Sequence, residues 1–377
     1  MEKAELIFVP SPGIGHLVAT LEFAKRLIDC DDRILITVLV MKLPFTTFVD
    51  AYTKSFTASQ SRIQLIDLPE VEPPSSELRN GSIEYITLCI DSQLPHVRNI
   101  VSDIVSSRSS SESVRVTGLV VDFFCVSMID VASEVCLPSY IFLTSNAGFL
   151  GLMLYLPTRH DQISTVFEPS DSELSISGFV NPVPVSVLPL GLFHKLGYSS
   201  YIKLAQRFND VNGIIVNIFS ELEPYAVNSF SGNSLNPPLY TVGTVLELKG
   251  QPNPDLDGDR CQKILKWLDD QPESSVAFLC FGSKGSFGPA QVKEIVLSNL
   301  NAFQMVKELG LAVEIRLDSK DGDLVMAEEI ARAVRCVMDG NSEVRKKVKE
   351  MSEISRKSLM DGGSSFISIR KFIDLNF

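Results

Sequence analysis

Residues 6–16 read LIFVPSPGIGH, an apolar run that passes into a loop with two prolines and two glycines. The run Leu6–Pro10 predicts a β-strand, and the spacing of apolar residues after the loop predicts a helix. Open α/β sheets bind their ligands at the carboxyl ends of strands, which is where this loop lies. The passage therefore predicts the first strand and a ligand-binding loop of an α/β domain.

Strands and helices alternate in the same way through the first part of the chain. The Pro- and Ser-rich passage Ser170–Leu192 predicts a long surface loop, Gly213–Phe219 predicts a further strand, and Asn236–Pro238 predicts an interdomain linker near residue 240. Residues 1–240 are expected to form a doubly wound α/β domain with a parallel sheet. Helical spacing follows each of its first five predicted strands: Leu6–Pro10, Ile34–Met41, Ile63–Leu68, Gly118–Cys125 and Ser139–Thr144.

Few strands are predicted in the rest of the chain. A nucleotide-binding Rossmann domain has about six strands, whereas two are predicted after residue 270, so roughly half of a second sheet is missing. Gly288-Pro289 signals a helix start and Gly310 a helix stop, and the apolar spacing from Val292 to Leu309 between them predicts one helix of about 21 residues. The other predicted elements are a strand at Leu239–Val245, a helix around Trp267, strands at Val276–Phe281 and Leu311–Leu317, and helices at Ala327–Met338, at Ser342–Met360 and from Ser364.

Composition narrows the classes of partner. A net charge of −12 disfavours nucleic acids and anionic membranes, because binding to them depends on clustered Lys and Arg. The apolar runs are far shorter than a membrane span, and the N-terminus lacks a secretory pattern. Seven cysteines without a CxxC pair fit reduced thiols in the cytosol. We therefore expect a monomeric cytoplasmic protein that binds small molecules and has no metal site.

Two residues of the first domain are candidates for acid–base chemistry. His16 lies in the first turn of the predicted helix, where the helix dipole lowers the pKa of the imidazole and favours a neutral base. Asp122 lies within an apolar predicted strand, where an unpaired carboxylate is costly, so it needs a partner. If the first and fourth strands are neighbours, His16 is that partner. A structural histidine and a loop-bracing aspartate remain open as alternatives.

A second loop is a candidate phosphate site. Gly282 and Ser283 follow a buried predicted strand and precede a predicted helix, an arrangement in which backbone N–H groups and a hydroxyl bind phosphate. Short loops of glycine and serine are equally common as plain turns. The first glycine loop lacks the full GxGxxG spacing, which argues against a dehydrogenase.

Five segments occur in order along the chain: FVPSPGIGH (8–16), VVDFFC (120–125), FLTSNA (142–147), GIIVN (213–217) and LCFGS (279–283). Taken together, they resemble the plant family 1 UDP-glycosyltransferases. The resemblance implies two facing Rossmann-like domains of GT-B type, with residues 1–240 binding the acceptor, residues 241–361 forming a truncated nucleotide-sugar domain, and residues 362–377 forming a helix that returns to the first domain. It also implies no cofactor, with UDP-glucose as co-substrate and a flavonoid-like phenol or terpenoid as acceptor.

The resemblance also assigns roles to individual residues. His16 would deprotonate the acceptor hydroxyl and Asp122 would balance its charge, so that the oxygen attacks the anomeric carbon with inversion and expels UDP. Gly282 and Ser283 would contact the donor diphosphate. The acceptor would lie against Ile14, Phe123, Phe124 and Asn146.

The chain departs from the family in its donor-binding block. That block contains a Trp against uracil, a His at the phosphates and an acidic residue followed by Gln at the sugar, yet Trp267 precedes the phosphate loop and no His follows His194. The segments that flank the block meet at Ser298–Leu300, where an internal excision is expected. The resemblance then implies an impaired or inactive transferase. A non-catalytic acceptor-binding remnant and a mis-spliced, poorly folding product remain as alternatives.

Overall fold

A parallel seven-stranded sheet forms the centre of the structure, a computed structural model. Its strand order, β3-β2-β1-β4-β5-β6-β7, reverses direction between β1 and β4, as in doubly wound folds. This confirms the predicted α/β fold class. The strands are β1 (Lys3–Val9), β2 (Ile34–Val40), β3 (Ile63–Asp67), β4 (Val114–Asp122), β5 (Ser139–Leu143), β6 (Gly213–Val216) and β7 (Leu239–Thr241). The residues that the structure describes are 3–42, 53, 56, 60–72, 74, 78, 82–110, 113–231, 236–247, 258–272, 275–276, 300–315 and 327–376.

Helices cover both faces of the sheet. Side chains of a strand alternate between the faces, so Ile7 and Val9 enter one apolar cluster while Leu6 and Phe8 enter the other. Burial on both faces explains why the strands are continuous apolar runs. The helices are α1 (Ile14–Cys30), α2 (Ile83–Ser92), α3 (Leu94–Ser109), α4 (Ile129–Glu134), α5 (Ala147–Gln162), α6 (Lys195–Gln206), α7 (Pro224–Ser231), α8 (Gly258–Asp269), α9 (Leu300–Phe303), α10 (Ala327–Met338), α11 (Glu343–Ser358) and α12 (Ser364–Asn376).

The last helix of the chain, α12, packs on the face of the sheet that α1 also covers. Phe372 is fully buried, and its ring lies 5.1 Å from that of Tyr140 and 5.2 Å from that of Tyr240. Its ring also lies 6.4 Å from that of Phe23 in α1. Ile369 and Ile373 complete the buried stripe of the helix. The end of the chain is therefore part of the core around the first strands.

The predicted linker at Asn236–Pro238 lies within the sheet rather than after it. Strand β7 follows these residues directly and pairs with β6 through Ile214–Leu239, Ile215–Tyr240 and Val216–Thr241. The strand that was expected to open a second domain is thus the edge strand of the first sheet. Only the pairing with β6 decides to which sheet this strand belongs.

The predicted loop Ser170–Leu192 lies at the surface, with about half of its residues exposed, and it also sends several apolar side chains into the core. Val183, Leu188 and Leu192 have no exposed surface, and Leu174 forms an antiparallel bridge with Val183. Short 3₁₀ turns at Val185–Val187 and Leu190–Phe193 satisfy part of its backbone. The loop therefore covers part of the core with its apolar side chains.

Predictions for the C-terminal part had mixed outcomes. The helix around Trp267 and the three helices at and beyond Ala327 are confirmed. The long helix to Gly310 lies outside the described residues before Leu300; from there it continues as α9 and a π-helical turn, Gln304–Glu308. It ends as predicted, with Gly310 at φ +61°. Residues 311–315 form no strand, and the rest of that predicted strand, like nearly all of Val276–Phe281, is outside the described residues.

Candidate active site

The loop between β1 and α1 places His16 at the carboxyl end of the sheet. Gly13 is the N-cap of α1, and its carbonyl accepts hydrogen bonds from the N–H groups of His16 (3.1 Å) and Leu17 (2.9 Å). The first turn of α1 contains no acidic residue, so the positive end of the helix dipole acts directly on the imidazole. The His16 side chain keeps 28% of its surface exposed. It is both held by the fold and accessible to a ligand.

Asp122 ends β4, the strand next to β1, and faces His16 directly. Its Oδ2 lies 2.8 Å from Nδ1 of His16, and the carboxylate has no exposed surface. The other oxygen, Oδ1, accepts a hydrogen bond from the N–H of Phe124 at 3.0 Å. The carboxylate thus both pairs with the histidine and braces the loop that follows, so the two interpretations of its role are compatible. An ionised carboxylate accepts only, so Nδ1 carries the hydrogen and the lone pair lies on Nε2.

A third group meets the imidazole, and sequence reasoning missed it. The hydroxyl of Thr144, directly after β5, lies 3.0 Å from Nδ1 of His16. Its position was readable in principle, because β5 is the next strand in the sheet and Thr144 is its first polar residue beyond the carboxyl end. A single threonine at a strand end is too common to signal a site without the contact itself.

Aromatic rings flank the imidazole. The ring centroids of Phe123 and Phe124 lie 5.9 Å and 5.6 Å from that of His16, and 4.0 Å from each other. Phe149 in α5 extends this group, with its ring 5.5 Å from that of Phe123. Flat apolar walls of this kind suit an aromatic or polycyclic ligand.

Phe124 also lines a cavity of about 470 Å³. The cavity lies between α2, α6 and the turn after β4, and its volume falls within the usual range of about 300–1,000 Å³ for small-molecule sites. Its apolar walls include Leu88, Leu196 and Leu204, while Glu84 and Lys203 supply charge. Phe124 therefore both lines a ligand-sized cavity and lies beside the candidate base.

The remaining acceptor candidates, Ile14 and Asn146, do not line this cavity. Ile14 packs against the apolar cluster beneath α1. Asn146 is the N-cap of α5, where its Oδ1 accepts from the N–H of Phe149 at 2.7 Å. Its Nδ2 donates to Oδ1 of Asn301 at 2.7 Å. Gly282 and Ser283, the donor-binding candidates, lie outside the described residues, as do the first two residues of the expected join.

The segment from Leu300 to Glu308 packs against α5 and neighbouring loops near this site. Leu300 is buried, and Gln304 donates from Nε2 to Oε2 of Glu223 at 2.5 Å. Glu308 accepts from the N–H groups of Val180 (2.9 Å) and Asn181 (3.0 Å). Burial raises the pKa of Glu223, and the hydrogen bonds from Gln304 and the Gly148 N–H oppose that rise.

Two other kinds of site were sought in the described part of the chain. No group of three or more His, Cys, Asp or Glu side chains there is arranged to hold a metal ion. None of the helices within the described ranges is long and apolar enough to cross a lipid bilayer.

Comparison with known proteins shows to which family the chain belongs. UDP-glycosyltransferase 71K1 of Malus domestica is 42% identical to the chain, over 99% of both sequences. The chain belongs to the plant UDP-glycosyltransferases. Flavonol 3-O-glucosyltransferase UGT71C4 of Arabidopsis thaliana is 41% identical over 99% of this chain and 98% of its own. No family profile matches the sequence.

A solved member of the family supports the fold. UGT71G1 of Medicago truncatula, crystallised with UDP-glucose, is 43% identical to this plant UDP-glycosyltransferase and matches it with a TM-score of 0.89. The match covers 99% of this chain and 98% of that one. The resemblance inferred from the five sequence segments is therefore confirmed, including the GT-B type of fold.

Proposed function

We propose that this UDP-glycosyltransferase has kept its acceptor half-site and lost productive use of the sugar donor. Its ligand is a flavonoid-like phenol or a terpenoid bound beside His16. The observation that carries the proposal is the 2.8 Å contact between His16 and Asp122, set against the aromatic wall and the Phe124-lined cavity.

The retained half-site has the parts for activating a hydroxyl. With Nδ1–H donated to Asp122, Nε2 of His16 accepts the proton of the acceptor hydroxyl. The buried carboxylate balances the charge of the resulting imidazolium. In the ancestral reaction the oxygen then attacks the anomeric carbon of UDP-glucose, the bond to UDP breaks, and the sugar configuration inverts.

The donor half is where the proposal departs from the family. Transfer requires the anomeric carbon to be held about 3 Å from the attacking oxygen. The sequence has one tryptophan, Trp267, and no histidine after His194, so the aromatic and histidine contacts of the family's donor block are missing. Support comes from the alignment with the Malus relative, which is 472 positions long against 377 residues here, so at least 95 positions lack a residue of this chain. Gly282 and Ser283 alone would hold the diphosphate weakly.

The setting that fits this function is the cytosol. The proposal assigns the chain no nucleic-acid, membrane or metal partner, in keeping with its net charge of −12 and scattered cysteines. It also treats the chain as a monomer, since each step described for the acceptor uses residues of one chain.

The test is a pair of titrations on the full chain. Isothermal titration with a flavonol is expected to show saturable binding, whereas titration with UDP-glucose is expected to show none. Incubation with both, followed by mass spectrometry, is expected to give no glucoside, with UDP-glycosyltransferase 71K1 as the positive control. Glucoside formation that His16→Ala abolishes would refute the loss of transfer. Absence of flavonol binding would refute the retained acceptor site.

A further inference from the structure

Nδ1 of His16 has two oxygen neighbours supplied by two adjacent strands. Oδ2 of Asp122 lies at 2.8 Å from the end of β4, and Oγ1 of Thr144 lies at 3.0 Å from just beyond β5. Strand alternation explains the second contact: Thr144 follows Phe142 by two residues, and Phe142 faces the cluster beneath α1. Thr144 therefore points to the side of the sheet on which α1 presents His16.

The two oxygens cannot act on Nδ1 in the same way. A single hydrogen lies on that nitrogen, and the carboxylate needs it. The threonine hydroxyl must then turn a lone pair towards the same N–H, so that the hydrogen is shared between the two oxygens. This arrangement favours the tautomer with the hydrogen on Nδ1. It also stabilises the imidazolium, because the Thr144 dipole points its negative end at the ring.

We propose that Thr144 is a positioning residue for His16, which fixes the Nδ1–H tautomer and raises the affinity of Nε2 for a proton. The role differs from that of Asp122, which supplies the balancing charge. The proposal rests on the base function proposed for His16, but the state of the imidazole can be measured without acceptor or donor.

The groups around the imidazole determine how clearly a change in the pKa of His16 can be assigned to Thr144. Asp122 is the acidic group in direct contact with Nδ1. Cys125, three residues further along, is neutral, because burial and the charges of Asp122 and Asp91 raise the pKa of its thiol well above the ordinary value. Phe123 and Phe124 flank the imidazole without titrating. A change in the pKa of His16 on altering Thr144 alone would therefore report the hydroxyl.

The test is histidine-ring nuclear magnetic resonance on the full chain across a pH titration, with His16 assigned from the His16→Ala spectrum. The chain has four histidines, so the signals can be separated. In the unaltered protein we expect the neutral ring to carry its hydrogen on Nδ1. Thr144→Val, which replaces the hydroxyl by a methyl group, is expected to lower the His16 pKa by roughly 0.5 to 1 and to admit the other tautomer.

Two variants separate positioning from packing. Thr144→Ser keeps the hydroxyl and is expected to restore both the pKa and the tautomer, while Ser145→Ala removes the neighbouring hydroxyl and is expected to change neither. Thr144→Ala gives the same readout if the valine variant does not fold. An unchanged His16 pKa and tautomer in folded Thr144→Val or Thr144→Ala would overturn the proposal, as would an equal change in Ser145→Ala. Failure of flavonol binding would refute the proposed function and leave this result intact.

Discussion

Two amphipathic helices of nearly equal length, α12 and α8, have opposite environments. Helix α12 buries Ile369, Phe372 and Ile373 on the sheet. Helix α8 buries none of its residues within the described structure, and its Ile264 and Trp267 remain 48% and 55% exposed. Both sequences have an apolar stripe, so the stripe predicts the helix but not its burial. Burial also needs a sheet face to receive the stripe, and the proposed excision removes strands of the second sheet.

The strongest way to break this contrast is to remove one aromatic ring from each helix. Phe372→Ala should lower the free energy of unfolding by about 3–5 kcal/mol, because it leaves a cavity among Phe23, Tyr140 and Tyr240. Trp267→Ala should change it by no more than about 0.5 kcal/mol. Urea unfolding of both variants measures the difference. A tryptophan variant as unstable as the phenylalanine one would show that α8 is packed in solution.

The cavity lined by Phe124, in which we propose that the acceptor binds, gives the next largest effect. Phe124→Ala should weaken flavonol binding about thirtyfold, or about 2 kcal/mol, because it removes the wall between the cavity and His16. Leu190→Ala removes a half-exposed apolar side chain that does not line the cavity, and should leave the dissociation constant unchanged. Fluorescence titration compares the two, and equal affinities would place the ligand elsewhere.

Glu223, which contacts Gln304, allows the contact between the first region and the C-terminal region to be tested through the pH dependence of stability. Burial raises its pKa in the folded chain above the ordinary 4.5, so the folded state holds the proton more tightly than the unfolded state. Stability from this group is complete below pH 4.5 and falls as pH rises through the folded pKa, by about 1.4 kcal/mol for each pH unit that separates the folded and unfolded pKa values. Glu223→Gln should remove that dependence. Unfolding curves of the unaltered protein and of Glu223→Gln at several pH values measure this dependence. An equal loss of stability in both proteins would contradict the prediction.

Substitution of Glu308 should give the smallest effect, and it tests where the C-terminal region begins to contact the first region. Glu308→Ala removes the acceptor of hydrogen bonds from Val180 and Asn181 and should cost about 1 kcal/mol. Glu314→Ala, which breaks only an exposed pair with Lys307, should cost less than about 0.5 kcal/mol. Thermal unfolding of both variants ranks the two costs. A larger cost for Glu314→Ala than for Glu308→Ala would show that the docked segment extends beyond Glu308.

Much of the first region could be predicted from sequence, because its strands are apolar runs closed by polar, proline or glycine residues. The pairing of His16 with Asp122 followed from one further condition, that β1 and β4 are neighbours, which the structure meets. The family followed from the order of five short segments. In each case a local pattern carried the information.

What could not be predicted depends on contacts between distant segments. Nothing local distinguishes Leu239–Thr241 as an edge strand of the first sheet from a strand that opens a second one. The sequence of Ser170–Leu192 predicted a surface loop, but not that irregularly spaced apolar residues such as Val183 and Leu188 would pack into the core. The role proposed for Thr144 depends on its contact with Nδ1 of His16, a residue 128 positions away in the sequence.

The position of Phe372 has a consequence for how the protein is made. The face of the sheet formed by Tyr140 and Tyr240 stays open until residues 364–376 have left the ribosome, because the ring that closes it belongs to the last helix. The first sheet therefore completes its core only after residues 364–376 have been synthesised. A change of length between β7 and α12 alters the time between the synthesis of the sheet and the synthesis of the helix. It does not alter the contact of Phe372 with Tyr140 and Tyr240.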